Sequence, residues 1–138
     1  MIKTKKLYDL VEKENIKTYN YNISGVFGMF ISVGKINAII LRKDLSQYQE
    51  KSTLAEELGH YYYDATYPVS CTDLQLISKQ EYRARKWAYN VLIPAEDLIS
   101  AIENGLNNID DLSDYFEVSR QFISECINYY KERGVLFA

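Results

Sequence analysis

The chain is poor in the residues that most readily advertise a function: one histidine, two cysteines and two prolines among 138 positions. Cys71 and Cys126 stand far apart and match no CxxC metal pattern, so both thiols are expected to be free, as in a reduced cytoplasmic setting. No stretch approaches the roughly 18 consecutive apolar residues that a membrane span needs. The opening MIKTKKLYDLVEKENIK is charged and has no apolar centre, so it does not read as a signal peptide, and a cytoplasmic location is expected. Excess positive charge is missing too. A net charge of −3 and a pI of about 5.2 give no global electrostatic case for nucleic acid. The local clusters Lys3/Lys5/Lys6 and Arg83/Arg85/Lys86 read as solvated faces. Repeats, low-complexity tracts and flexible linkers are also lacking.

What is abundant is tyrosine, with 13 copies, a side chain that serves half-buried packing and binding grooves alike. Hydrophobic residues make up 47% and charged residues 25%, an ordinary globular balance. The length suits one compact domain, or a small catalytic domain with a short helical appendage.

Apolar spacing at Leu7, Leu10 and Val11 predicts an amphipathic helix over about 3–14. Residues 16–23 alternate with period two, and 27–33 and 36–41 are β-branched runs joined by Gly34-Lys35, a plausible hairpin turn. The expectation is a small antiparallel sheet of about three strands. A helix follows, capped by Ser52 or Thr53 with Glu56 completing a capping box, and running to about Tyr63. Residues 64–73 read as a loop. Further helices are expected from Ser78 or Lys79 to Leu92, ended by Pro94, and from Ala95 or Glu96 to Glu103, ended by Asn104-Gly105. The tail reads as helix-turn-helix-like: 109–115, a turn at Glu117-Val118, then 119–133 capped by Ser119.

The chemistry concentrates in Thr53-Leu54-Ala55-Glu56-Glu57-Leu58-Gly59-His60. At about 100° per residue, Glu56 and His60 share one helix face, a spacing at which two side chains can hold one metal ion. HExxH helices use it with two histidines, and the intervening Glu serves as general base. Here Glu57 occupies the base position and Glu56 stands where the first histidine would be. The plain alternatives are a structural histidine, and paired glutamates placed at a helix N-terminus for its dipole. The next helix carries Glu81, Ala84 and Ala88 along one face. The small residues allow close approach to a neighbour, towards which Glu81 then points as a third ligand. A solvent-exposed Glu81–Arg85 pair is the competing reading.

Together the two segments resemble the ImmA/IrrE family of metallopeptidases, common in phage and mobile-element repressor circuits. That family shows a (T)LAHELGH-like helix followed by one resembling E-x-x-A-x-x-F-A-x-x-L-L-M-P. The matching residues are 53–60 and Glu81, Ala84, Trp87-Ala88 and Leu92-Ile93-Pro94, and the order of elements agrees as well. The resemblance implies an α+β zincin-like domain over 1–94 with a helical, helix-turn-helix-like extension over 95–138 packed on it. It further implies a zinc endopeptidase that cleaves a partner protein, often a transcriptional repressor. Carried over by position, Glu57 is the general base, and His60 and Glu81 are metal ligands with Glu56 as the variant one. Two carboxylates in the ligand set would lower the Lewis acidity of the ion and let Mn²⁺ compete better with zinc.

With no second histidine, a tyrosine is the natural oxyanion stabiliser, and Tyr61, Tyr62, Tyr63 and Tyr67 all follow the helix closely. Two rival readings stand beside the peptidase: a degenerate member, able to lack metal, that binds its partner without cleaving, and a DNA-binding regulator. Asp110, Asp111 and Asp114 on the first tail helix argue against DNA, since only Arg120, Lys131 and Arg133 offer phosphate contacts on the second.

Overall fold

A computed structural model of the chain describes residues 1–68 and 70–135. Position 69, in the expected loop, and positions 136–138, in the expected extension, lie outside the described residues. The architecture is α+β, with six helices and one three-stranded sheet among the described residues. In chain order they are α1 (Thr4–Lys13), β1 (Lys17–Tyr21), β2 (Gly28–Val33), β3 (Ile36–Arg42), α2 (Gln47–Tyr62), α3 (Leu74–Leu92), α4 (Ala95–Glu103), α5 (Ile109–Phe116) and α6 (Arg120–Glu132).

The sheet corrects one expectation. It is mixed, in the order β1-β3-β2, with β2 antiparallel and β1 parallel to β3. The two-residue turn with Gly34 at φ +60° pairs β2 with β3, and β1 takes the outer edge of β3, not the outer edge of β2. Three strands running up, down and up, with the third in the middle, make the first parallel to the third.

Two helix starts also differ from expectation. The helix bearing His60 begins at Gln47, not near Thr53. Its capping box is Ser46 with Gln49: Ser46 Oγ accepts from the Gln49 amide at 3.2 Å, and Gln49 Oε1 accepts from the Ser46 amide at 3.0 Å. Ser52 and Thr53 are buried mid-helix. They escape periodicity because the chain that covers them arrives from far away. The Ser52 hydroxyl accepts the Ser119 amide at 3.0 Å, and the buried Lys51 ammonium donates to the Phe116 carbonyl at 2.7 Å. Likewise α3 starts at Leu74, capped by Asp73, whose carboxylate accepts the Gln75 and Leu76 amides. Its first turn shows no apolar stripe because Leu74 and Leu76 are exposed.

One hydrophobic cluster runs through the molecule, from Leu7 and Val11 of α1, through Ile39, Leu41, Leu54 and Leu58, to Leu112, Phe116, Phe122 and Ile123 of α5 and α6. Helices α5 and α6 meet through Glu117 in the left-handed region and the cap of α6 by Ser119, as expected. The Tyr130 hydroxyl donates to the Ile93 carbonyl at 2.7 Å, and Arg120 is tied to Asp110 at 2.8 Å. Both cysteines are unpaired, and among the described residues no helix is long and apolar enough to cross a membrane.

The decisive contact lies between α2 and α3. A Cβ placed on Gly59 would overlap the Ala84 carbonyl oxygen and lie 2.8 Å from its carbon, so the two backbones touch directly. Ala84 and Ala88 are fully buried on the matching face of α3, as their spacing predicts. An alanine ordinarily favours a helix interior over glycine by about 1 kcal/mol. Here overpacking against rigid backbone outweighs that gain. Gly59→Ala is therefore expected to destabilise the fold by about 2 kcal/mol or more, read by urea unfolding. An unchanged or raised midpoint would show that the contact is slack.

Candidate active site

The Gly59 contact places the next residue, His60, directly opposite Glu81, one turn before Ala84. His60 Nε2 lies 2.7 Å from Glu81 Oε2, and Nδ1 lies 2.5 Å from the Ala65 carbonyl. The Tyr67 hydroxyl donates to the other Glu81 oxygen at 2.8 Å. Glu57 Oε1 is 4.0 Å from His60 Nε2. Phe30 of β2 lies parallel to the imidazole, with ring centroids 6.4 Å apart. Glu57 and His60 are buried, whereas the Glu81 side chain remains 37% exposed.

The Ala65 carbonyl can only accept, so Nδ1 carries a proton. Nε2 faces a Glu81 carboxyl oxygen, a pairing that a second imidazole proton or a metal ion would satisfy with the carboxylate charged. The surroundings of the imidazole favour its charged form. Burial pulls its pKa down, but the Glu81 hydrogen bond, the Glu57 charge and the Ala65 carbonyl outweigh that, and the net shift is upward. Burial alone would raise the Glu81 carboxyl; the hydrogen bond and charge of His60, with Tyr67 and Arg85, hold it below the usual range. Burial pushes Glu57 up to about 8, against the pull of His60 and with added push from Glu56 and Glu81. It pushes Glu56 up to about 7, where Arg85 pulls down and Glu125 pushes up.

The expected residues divide clearly by position. Glu57, His60, Glu81 and Tyr67 come together. Glu56 lies one turn before His60, within electrostatic reach of Arg85, Glu125 and Glu81. The other tyrosines point elsewhere. Tyr61 donates to Glu14 at 3.4 Å, Tyr62 stacks on Trp87 at 4.9 Å, and the exposed Tyr63 offers its carbonyl to Arg83 at 2.6 Å. Glu81 has His60 and Tyr67 as partners, not a solvent-exposed ion pair with Arg85. Sequence reasoning missed the Ala65 carbonyl and Phe30, neither of which carries a pattern signal. It also missed the influence of Arg85 on Glu56, although Arg85 stands one turn from Glu81.

The donor chemistry suits a divalent ion, because an imidazole nitrogen oriented through its other nitrogen and a facing carboxylate are usual zinc ligands. Among the described residues, however, no group of three or more His, Cys, Asp or Glu side chains is gathered closely enough to hold one. His60 and Glu81 stand in direct contact at 2.7 Å, and at tetrahedral zinc–ligand distances of about 2.0–2.2 Å they would have to part by roughly 0.6–0.9 Å to share an ion.

A family model described as the IrrE N-terminal-like domain (Peptidase_M78) matches residues 8–128. No curated protein and no solved structure matches the chain.

The raised carboxyls give the metal-free protein a defined pH dependence. Glu57 and Glu56 bind their protons more tightly folded than unfolded, so their stabilisation is complete below pH 4.5 and is lost as pH rises through about 7 and 8. His60, also raised, acts in the same sense, and Glu81, lowered, in the opposite one. The net expectation is falling stability between about pH 5 and 8, seen as a falling thermal midpoint in chelator-treated protein. Glu57→Gln should flatten that slope; an equally steep slope in the variant would place its origin elsewhere.

Proposed function

The chain belongs to the IrrE N-terminal-like domain family, a family of metal-dependent peptidases, and on that premise we propose that it is a zinc endopeptidase acting on a regulatory protein such as a phage-type transcriptional repressor. The observation that carries this reading is the convergence of His60, Glu81, Glu57 and Tyr67 where α2 crosses α3, with the imidazole oriented by the Ala65 carbonyl.

His60 and Glu81 would be the first two metal ligands, and Glu56 would be the third once it moved in to join them. Zinc held there would supply Lewis acidity. Glu57 would accept the proton of the attacking water and pass it to the departing amine. Burial pushes its carboxyl up to about 8, and a divalent charge nearby would favour the carboxylate, the form a general base needs. Tyr67, whose hydroxyl already lies against Glu81, is the group placed to meet the oxyanion. Ala65 and Phe30 hold the imidazole plane.

A second reading, a non-cleaving member that binds its partner, is favoured by the absence of a gathered three-ligand cluster among the described residues. One set of measurements separates the two. On the peptidase reading, zinc-loaded protein holds one ion per chain by elemental analysis and cleaves a helix-turn-helix repressor in a chelator-sensitive manner. Glu57→Gln retains the ion and loses about a hundred- to ten-thousand-fold in rate. His60→Ala loses the ion, and Glu56→His binds zinc more tightly and discriminates better against Mn²⁺. No stoichiometric metal after loading, or partner binding indifferent to chelator with no cleavage product, would leave only the second reading.

A further inference from the structure

The sheet has two faces of very different fate. Ile39 and Leu41 point to the side covered by α1 and α2, where they are fully buried. Alternation and register put Tyr19 and Tyr21 of β1, Met29 and Val33 of β2, and Ile36 of β3 on the opposite side. Phe27 continues the β2 row, because its carbonyl accepts the Arg42 amide at 2.8 Å and its ring lies beneath the Arg42 guanidinium. These six side chains are between 38% and 68% exposed, and Tyr19 and Tyr21 stack on each other at 5.9 Å. No helix among the described residues covers them.

The charge on this face is as selective as its hydrophobicity. Only Lys17 and Arg42 are ionised at outward-facing strand positions, and Arg42 is already tied to Asp44 at 2.6 Å. No outward strand position carries an acid, so the net charge of −3 resides elsewhere. Two such faces can meet without bringing acidic surfaces together.

The area is the second argument. At about 200 Å² for a fully exposed side chain of this size, the six leave roughly 600 Å² per copy. That equals the largest apolar patch usual on a monomer. Two copies would bury about 1,200 Å², enough for a specific though weak interface. Face-to-face packing of twisted sheets is a standard arrangement. A two-fold pairing of one face with itself closes after two copies and does not propagate.

We propose that the outer face of the β1-β3-β2 sheet is a self-association surface on which a second copy of this chain packs, giving a weak two-fold dimer. The His60–Glu81 pair lies on the inner side, past Phe30, and stays accessible in that dimer.

Sedimentation velocity from about 10 µM to about 1 mM tests this, since an interface of this size corresponds to micromolar or weaker affinity. The full chain should pass from monomer to dimer mass. Ile36→Lys and Val33→Lys, both at exposed positions with circular dichroism as the fold control, should weaken the dimer at least tenfold. Ile102→Lys, on the exposed surface of α4, should leave it unchanged. A wild-type chain that stays monomeric throughout overturns the proposal and gives the face to a different partner. A dimer indifferent to both sheet substitutions overturns it as well, by placing the interface elsewhere.

Discussion

The backbone contact between Gly59 and Ala84 sets the geometry on which the site depends. Side chains can rotate to accommodate a change, whereas two helix backbones in contact cannot, so the spacing of α2 and α3 is fixed within narrow limits. His60 follows Gly59 by one residue and Glu81 precedes Ala84 by one turn. Both reactive groups therefore project from the stiffest point of the crossing, and their 2.7 Å separation follows from it. Side chains held by regular elements in close contact keep their geometry better than those on loops. The one loop contribution, from Ala65 and Tyr67, is tied back to His60 and Glu81 by hydrogen bonds.

Electrostatics gives that geometry its meaning. Two neighbouring glutamates one turn before a buried imidazole make an expensive arrangement if all are ionised in low dielectric. The surroundings push the pKa of Glu56, Glu57 and His60 upward. Burial is the cause for the carboxyls; for the imidazole, burial is outweighed by the neighbouring carboxylates and the Ala65 carbonyl. A divalent ion would act in the opposite sense, competing with a proton for Nε2 and favouring the charged carboxylates. Glu56 matters here because a neutral histidine at its position would impose less of this repulsion.

The central part of the fold was legible in the sequence because it follows local rules. Glu81, Ala84 and Ala88 recur at helical spacing, Gly59 stands where two helices approach closely, and the caps at Ser119 and Gly105 are chemical signals. What escaped reading came from long-range partners. Lys51 and Ser52 are buried against Phe116 and Ser119, more than sixty residues away, and Thr53 against Gly28 of β2, so the first half of α2 shows no amphipathic stripe. The direction of β1 is set by β3 occupying the sheet centre, which is a property of three strands together and not of one. In the site, Glu57, His60 and Glu81 were visible by type and spacing. The choice of Tyr67 over Tyr61, Tyr62 and Tyr63 was not, since it depends on the path of a loop.

The same long-range contacts explain why the helical tail and the site are mechanically joined. Lys51 is buried with its ammonium on the last carbonyl of α5, where the helix dipole favours a cation. Burial draws its pKa down to about 8, with Glu117 pulling it back up, so the contact is a charge-assisted one close to neutrality. Glu117 also pairs with Lys3, which brings the start of α1 to the same turn. Lys51 and Ser52 lie in the first half of the helix whose second half carries Glu57 and His60. The packing of α5 and α6 therefore bears on the placement of the helix that carries Glu57 and His60.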